Sequence, residues 1–153
     1  MLSKEQKKDI RLLILGCILV FVYSFGYEPV VVIGDSMNPS NKNLDLILVD
    51  KLSYEFELPK RGDVILFYDY QDDDFMIKRV LGLPRDTIEI IEGWIFVNGD
   101  LYLDEFSHIN VTEGVSMYPW TLEEKEYWVI GDNRDETWCG VVHEDSIIGK
   151  MKE

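Results

Sequence analysis

Residues 87–99 read TIEIIEGWIFVNG, and the fold is decided there. Thr87–Ile91 and Trp94–Val97 are short runs of β-branched and aromatic residues. Glu92-Gly93 between them makes a turn, so the pair reads as a β-hairpin. Asn98-Gly99 is the strongest short turn signal in the chain, and Leu101-Tyr102-Leu103 follows it. Outward from this hairpin the same pattern recurs. Asp45–Lys51 (DLILVDK), Gly62–Tyr68 (GDVILFY), Phe75–Leu81 (FMIKRVL), Tyr127–Ile130 (YWVI) and Ser146–Lys150 are short apolar runs bounded by polar, Gly or Pro positions. Such spacing with tight turns predicts a mainly β body, an antiparallel barrel or sandwich-like sheet. Residues 104–125 carry the least pattern and read as a loop excursion. No internal repeat is evident.

The remaining arithmetic bounds the rest. The 153 residues allow one compact domain plus an appendage. The net charge of −14 speaks against nucleic acid as a partner, since phosphate contacts need clustered Lys and Arg. The chain has no alanine, which is unusual for a helical bundle. Cys17 and Cys139 fall in different settings and imply no disulfide framework. His108 and His143 are too few for most zinc sites, and no CxxC or HExxH occurs.

Charge is unevenly spread. Residues 1–27 hold Lys4, Lys7, Lys8 and Arg11 against Glu5 and Asp9, a net of +2, and residues 28–153 carry −16. Leu12 to Tyr27 (LLILGCILVFVYSFGY) is uncharged and spans roughly 24 Å as a helix, short against a bilayer core of about 30 Å. Ile10 extends it, Arg11 can snorkel, and Tyr23 and Tyr27 suit the far interface. A cleaved leader, with Ser24-Phe25-Gly26 as a small-x-small triplet, and a buried core helix are the competing readings. The division favoured is a basic tail at 1–11, a membrane anchor at 12–27 and a β body at 28–153. The basic end then lies in the cytoplasm and the acidic body outside.

Three stretches can carry chemistry. In Gly34-Asp35-Ser36-Met37-Asn38-Pro39-Ser40, Gly34 permits a turn and Pro39 restricts its neighbour, which can present the Ser36 hydroxyl and amide. The same residues also suit an ordinary surface loop. In Ile77-Lys78-Arg79, strand alternation places Met76, Lys78 and Val80 on one face. Lys78 either snorkels or is desolvated enough to act as a neutral base, which a serine nucleophile needs. The acidic body opposes that neutral state, so carboxylates, including the Asp72-Asp73-Asp74 run, must keep clear of it. Gly131-Asp132-Asn133-Arg134 reads as a hydrogen-bonded turn that can brace a site. Cys139 and His143 have the spacing of one helical face, but Gly140 weakens a helix there. Neither histidine sits in a recognisable catalytic triad context.

Taken in order, these stretches resemble the bacterial type I signal peptidases, membrane-anchored Ser/Lys proteases. GDSMNPS with DLILVDK is similar to the family's Ser box, RGDVILF to its next box and MIKRVLGLPRDTIEI to its Lys box. VIGDNRD with GVVHEDSIIGK is similar to the final box. The resemblance covers nearly the whole chain. It implies Ser36 as nucleophile and Lys78 as general base. It implies the Ser36 amide as oxyanion donor, with Gly34 at a position where some members carry a hydroxyl donor. Met37 would flank the serine in the substrate groove, with Asp132, Asn133 and Arg134 as supports. The stretch between Arg134 and Gly140 is about four residues shorter than the family's usual one. Thr137 is then a candidate to orient the Lys78 amine, as are Asp135 and Glu136 for the family's Asp. The implied activity is removal of signal peptides from exported preproteins with small residues at the first and third positions before the cut. The bilayer is a partner, and no metal or organic cofactor is needed. A dedicated pilin or conjugation processing peptidase, a self-cleaving repressor-type protease and a non-catalytic binding module are the alternatives.

Overall fold

A computed structural model of the chain describes residues 4–106, 116–135 and 138–152, without the side chains of residues 19, 22 and 25. An N-terminal helix, α1 (Lys4–Gly26), is 23 residues long, which is about 34 Å at 1.5 Å per residue. Among the described residues no helix is long and apolar enough to cross a membrane. α1 ends where the β body begins: the Lys51 amide donates to Gly26 O at 2.8 Å, and Tyr27 already pairs with Asp50.

Among the described residues the body holds eleven strands: β1 (Tyr27–Val31), β2 (Leu46–Asp50), β3 (Val64–Asp69), β4 (Asp74–Gly82), β5 (Thr87–Ile91), β6 (Trp94–Val97), β7 (Asp100–Leu101), β8 (Met117–Thr121), β9 (Glu126–Ile130), β10 (Cys139–His143) and β11 (Ile147–Met151). A one-turn helix, α2 (Ser53–Phe56), follows β2. Seven strands form one sheet in the order β1-β2-β11-β3-β4-β9-β10, and four form a second in the order β7-β6-β5-β8. Every pairing is antiparallel.

The opening hairpin forms as its residues dictate. Ile88 faces Val97 and Ile90 faces Ile95, so period-two alternation puts four apolar side chains on one face. Glu92 and Gly93 both take positive φ, 49° and 83°, which closes a two-residue hairpin turn. That face packs with Leu81, Leu122, Trp128 and Ile130 where the two sheets meet. A second cluster (Ile65, Phe67, Val80, Tyr127, Val129, Val142) fills one face of the large sheet, and a third (Val32, Ile47, Val49, Leu66) lies under β1 and β2.

Three strands depart from expectation. Met117–Thr121 is paired to β5, so residues 104–125 are not wholly a loop; 107–115 lie outside the described residues. Tyr118 and Trp120 of this strand are exposed, and without a buried face its alternation carries no hydrophobic signal. Cys139–His143, where the sequence marks no strand, is an edge strand. Tyr27–Val31 is also a strand, one that the sequence does not mark because Glu28 and Pro29 interrupt its apolar run.

Candidate active site

The loop from Gly34 to Asp45 is held by its own polar side chains. Gly34 has φ +93°, a conformation that an L side chain resists, and its amide donates to Asn43 Oδ1 at 3.0 Å. Asp45 Oδ2 accepts from the Lys42 amide at 2.7 Å. Ser36 sits half-buried at the centre of the turn, and no described residue accepts from its amide. Asn133 fixes the loop from across the site. Its amide donates to Ser36 O at 3.0 Å and its Nδ2 to Asp35 O at 3.2 Å. Met37 is enclosed at 1% exposure, so its side chain underpins the turn.

Lys78 comes to this loop from β4. Its Nζ lies 2.8 Å from Ser36 Oγ although the two residues are 42 apart in sequence. Lys78 is 5% exposed and lies directly across from Ile65 of β3, on the face it shares with Val80. Burial lowers the Lys78 pKa from the ordinary lysine value, and the nearby Asp132 carboxylate pulls only partly the other way. A neutral amine at this distance can accept the serine proton, the arrangement needed to activate a hydroxyl for acyl transfer.

Asp132 does not undo this, because Arg79 has claimed it. Arg79 Nε and Nη2 bind the two Asp132 oxygens at 2.7 Å each, and Nη1 donates to Gly62 O at 2.7 Å. Alternation along β4 makes this division: Lys78 faces the core with the serine, and Arg79 faces the other way with the carboxylate. Arg134, 1% exposed, donates to Gly131 O at 3.0 Å and to Asp104 Oδ2 at 2.5 Å. Phe106 lies beneath both guanidinium groups, 5.1 Å from Arg79 and 5.7 Å from Arg134. The structure thus gathers Gly34, Ser36, Met37, Lys78, Asp132, Asn133 and Arg134 in one place. Thr137 and His108 lie outside the described residues. Arg79, Asp104 and Phe106 were not singled out from sequence. Only Arg79 left a signal, as a charged residue on the opposite strand face from Lys78.

The rival site dissolves. Cys139 and His143 lie at opposite ends of β10, about 13 Å apart at the usual rise per strand residue. Burial also raises the Cys139 thiol above its ordinary value, away from the reactive thiolate. Among the described residues no group of His, Cys, Asp or Glu side chains could hold a metal ion.

The family model "Signal peptidase, peptidase S26" matches residues 7–153. Signal peptidase I P of Bacillus subtilis subsp. natto is 31% identical over 172 residues, covering 97% of this chain and 91% of that one. Signal peptidase I of Bacillus caldolyticus is 32% identical over 152 residues, covering 88% of this chain and 82% of its own length. Among solved structures, a signal peptidase I from Enterococcus faecalis V583 superposes with a TM-score of 0.50 at 24% identity, over 63% of this chain and 98% of that one, a likeness of fold. The sequence matches run from near the start of α1 through the last strand, and so the chain belongs to the signal peptidase family, peptidase S26.

Proposed function

We propose that the chain is a type I signal peptidase that cuts signal peptides from exported preproteins by Ser36/Lys78 catalysis. The single observation that carries the mechanism is the 2.8 Å approach of the buried Lys78 Nζ to Ser36 Oγ. Neutral Lys78 takes the hydroxyl proton as Ser36 Oγ attacks the peptide carbonyl. The resulting ammonium returns that proton to the departing amine, the N-terminus of the mature protein. Water, deprotonated by the same amine, then hydrolyses the ester and frees Ser36. The Ser36 amide is the oxyanion donor; such a donor is worth about 3 kcal/mol, and Gly34 adds no side-chain donor beside it. Asn133 and the Arg79–Asp132 pair hold the two halves in register.

The substrate is an extended segment with small residues at the first and third positions before the cut. The body is held at the membrane with its N-terminus in the cytoplasm and residues 28–153 outside. Support for the anchor lies in the uncharged Leu12–Tyr27, in the basic residues before it, and in exposed Leu13, Val20 and Phe21 on α1.

The test uses the full-length protein in detergent with a preprotein bearing a small-x-small cleavage site. Ser36→Ala and Lys78→Ala are each expected to lower cleavage on the order of 10³-fold or more. Cleavage that survives either change sinks the dyad. Binding without cleavage, untouched by both changes, leaves only a binding module.

A further inference from the structure

The polar side chains around Ser36 mostly bind the loop that carries it. Asn43 Oδ1 accepts from the Gly34 amide at 3.0 Å, Asp45 Oδ2 accepts from the Lys42 amide at 2.7 Å, and Asn133 Nδ2 donates to Asp35 O at 3.2 Å. Asn41 differs. It is 8% exposed, and its Oδ1 is enclosed with no hydrogen-bond partner among the described residues. A buried carbonyl oxygen without a donor is costly, and native proteins keep few of them. One that persists in the loop of a reactive serine points to a donor that arrives with the substrate.

Local geometry places this oxygen. The Asn41 amide donates to Met37 O at 2.8 Å, which closes a single turn over residues 37–41. Residues four apart on such a turn share a face, so Asn41 lies beside the buried Met37, the neighbour of Ser36. The base of the loop is Val32, whose amide donates to Asp45 O at 2.9 Å and whose carbonyl accepts from the Leu44 amide at 2.8 Å. Val32 belongs to the buried cluster against which Ile77 packs. Ile77 precedes Lys78 on β4 and by alternation takes the opposite face of the sheet. Lys78 therefore approaches Ser36 from one side, and Val32, Ile77 and the interior of the loop bound the other.

β4 also supplies a track for the substrate. β9 pairs with it at Arg79, Val80 and Gly82, so along residues 74–77 that edge carries no strand among the described residues. An extended peptide can add to this edge with its scissile carbonyl at Ser36 Oγ, turning alternate side chains to the Ile77 side. The side chain just before the cut is the one nearest the Ser36 turn, and so nearest Asn41. A methyl group there leaves Asn41 Oδ1 without a donor, whereas a hydroxymethyl group brings an O–H.

We propose that Asn41 is a specificity-determining residue whose side-chain oxygen accepts a hydrogen bond from a serine hydroxyl at the first position before the cut. The protein then prefers serine there to an apolar residue of the same size. The inference rests on the signal peptidase reading and narrows its substrate class, from small residues in general to one that carries a hydroxyl at that position.

The experiment uses the full-length protein in detergent and two soluble peptides that differ only at the first position before the cut. One carries serine there, and the other 2-aminobutyrate, its isostere with a methyl in place of the hydroxyl. The parent is expected to cleave the serine peptide with a kcat/KM about ten-fold higher. Asn41→Leu, which removes the acceptor at similar volume, is expected to bring the two values within about two-fold of each other, by loss on the serine peptide. A parent that cleaves both peptides equally overturns the inference, whether or not the variant folds. A preference that survives in Asn41→Leu, or a variant that slows both peptides by the same factor, overturns it as well. So does a serine preference that appears only when the same pair of residues is moved to the third position. A parent that cleaves neither peptide overturns the signal peptidase reading itself, whereas equal cleavage of both leaves that reading standing and removes the role of Asn41 alone.

Discussion

Enclosing an ammonium among Ile65, Val80 and their neighbours disfavours the charged form, and Lys78 therefore gives up its proton more readily than a surface lysine. The sign of the consequence is definite. Activity should rise with pH through a Lys78 value lowered from the ordinary one; a rate flat from acid to alkaline pH would exclude this base. Stability follows the same group. Below its folded value the native state must bury a charge, and that penalty fades as pH climbs towards the unfolded value of about 10.4. Lys78→Met should thus melt no lower than the parent at neutral pH, with any advantage shrinking as the solution is made alkaline. Thermal melts across pH check this. Asp132 gives a second handle, because its charge pulls the Lys78 value up. In Asp132→Asn that pull is gone, and the Arg79 guanidinium, left without its carboxylate, disfavours the ammonium as well. The pH–rate profile should move to lower pH, while folding stability falls by about 3 kcal/mol because a buried partner is removed. A profile that stays in place, or moves to higher pH, contradicts the electrostatic account.

At the scale of the element, β4 is the strand that divides labour, with Lys78 on one face, Arg79 on the other, and a register shift between Val80 and Gly82 at its end. Gly82 is required there by packing. A Cβ at this position would lie 2.8 Å from Leu122 Cδ1 and Trp128 Cβ and 2.9 Å from Ile88 Cδ1. The Trp128 Cβ is tied to backbone and cannot swing away. Gly82→Ala should therefore cost about 2 kcal/mol by overpacking, seen as a lowered urea midpoint with an unchanged slope; an unaltered midpoint would mean the sheets give way at that seam. The elements that sequence revealed share a property with β4: one face is buried, so alternation or an apolar run reports them. The hairpin at 87–97 is legible to the residue because its four inward side chains and its two-residue turn agree. β8 and β10 were hidden because their outward residues, Tyr118, Trp120 and Val141, are as apolar as any core. The braces Asp104 and Phe106 were hidden for another reason. Their meaning lies in contacts with Arg79 and Arg134, 25 to 30 residues away, and no local pattern encodes a side chain that crosses between sheets. The Ser36–Lys78 approach is equally non-local, and the ordered family motifs were what made those two residues candidates in the first place.

The whole molecule is an acidic β body joined to a basic helix through a narrow connection: the Lys51–Gly26 backbone bond, the Leu52 side chain and the first pairs of β1. Among the described residues, the buried members of the three core clusters all lie within residues 32–142 and include none from α1. Removing residues 1–25 should therefore leave the body folded, with a melting temperature within about 3 °C of the parent, since at this chain length a loss of 1 kcal/mol moves it roughly 2–4 °C. Cleavage of a soluble peptide should persist at close to the parental rate, because Ser36, Lys78 and their braces are all retained. Cleavage of a vesicle-embedded preprotein should drop by about 10²-fold, the order of gain that tethering provides by holding enzyme and substrate at one surface. Both rates can be measured on the same truncated preparation. If the truncated body fails to fold, α1 contributes to the core in a way the contacts do not reveal. If it cleaves embedded preprotein as fast as the parent, the helix is not what brings enzyme to substrate, and the acidic body reaches the membrane by its own surface.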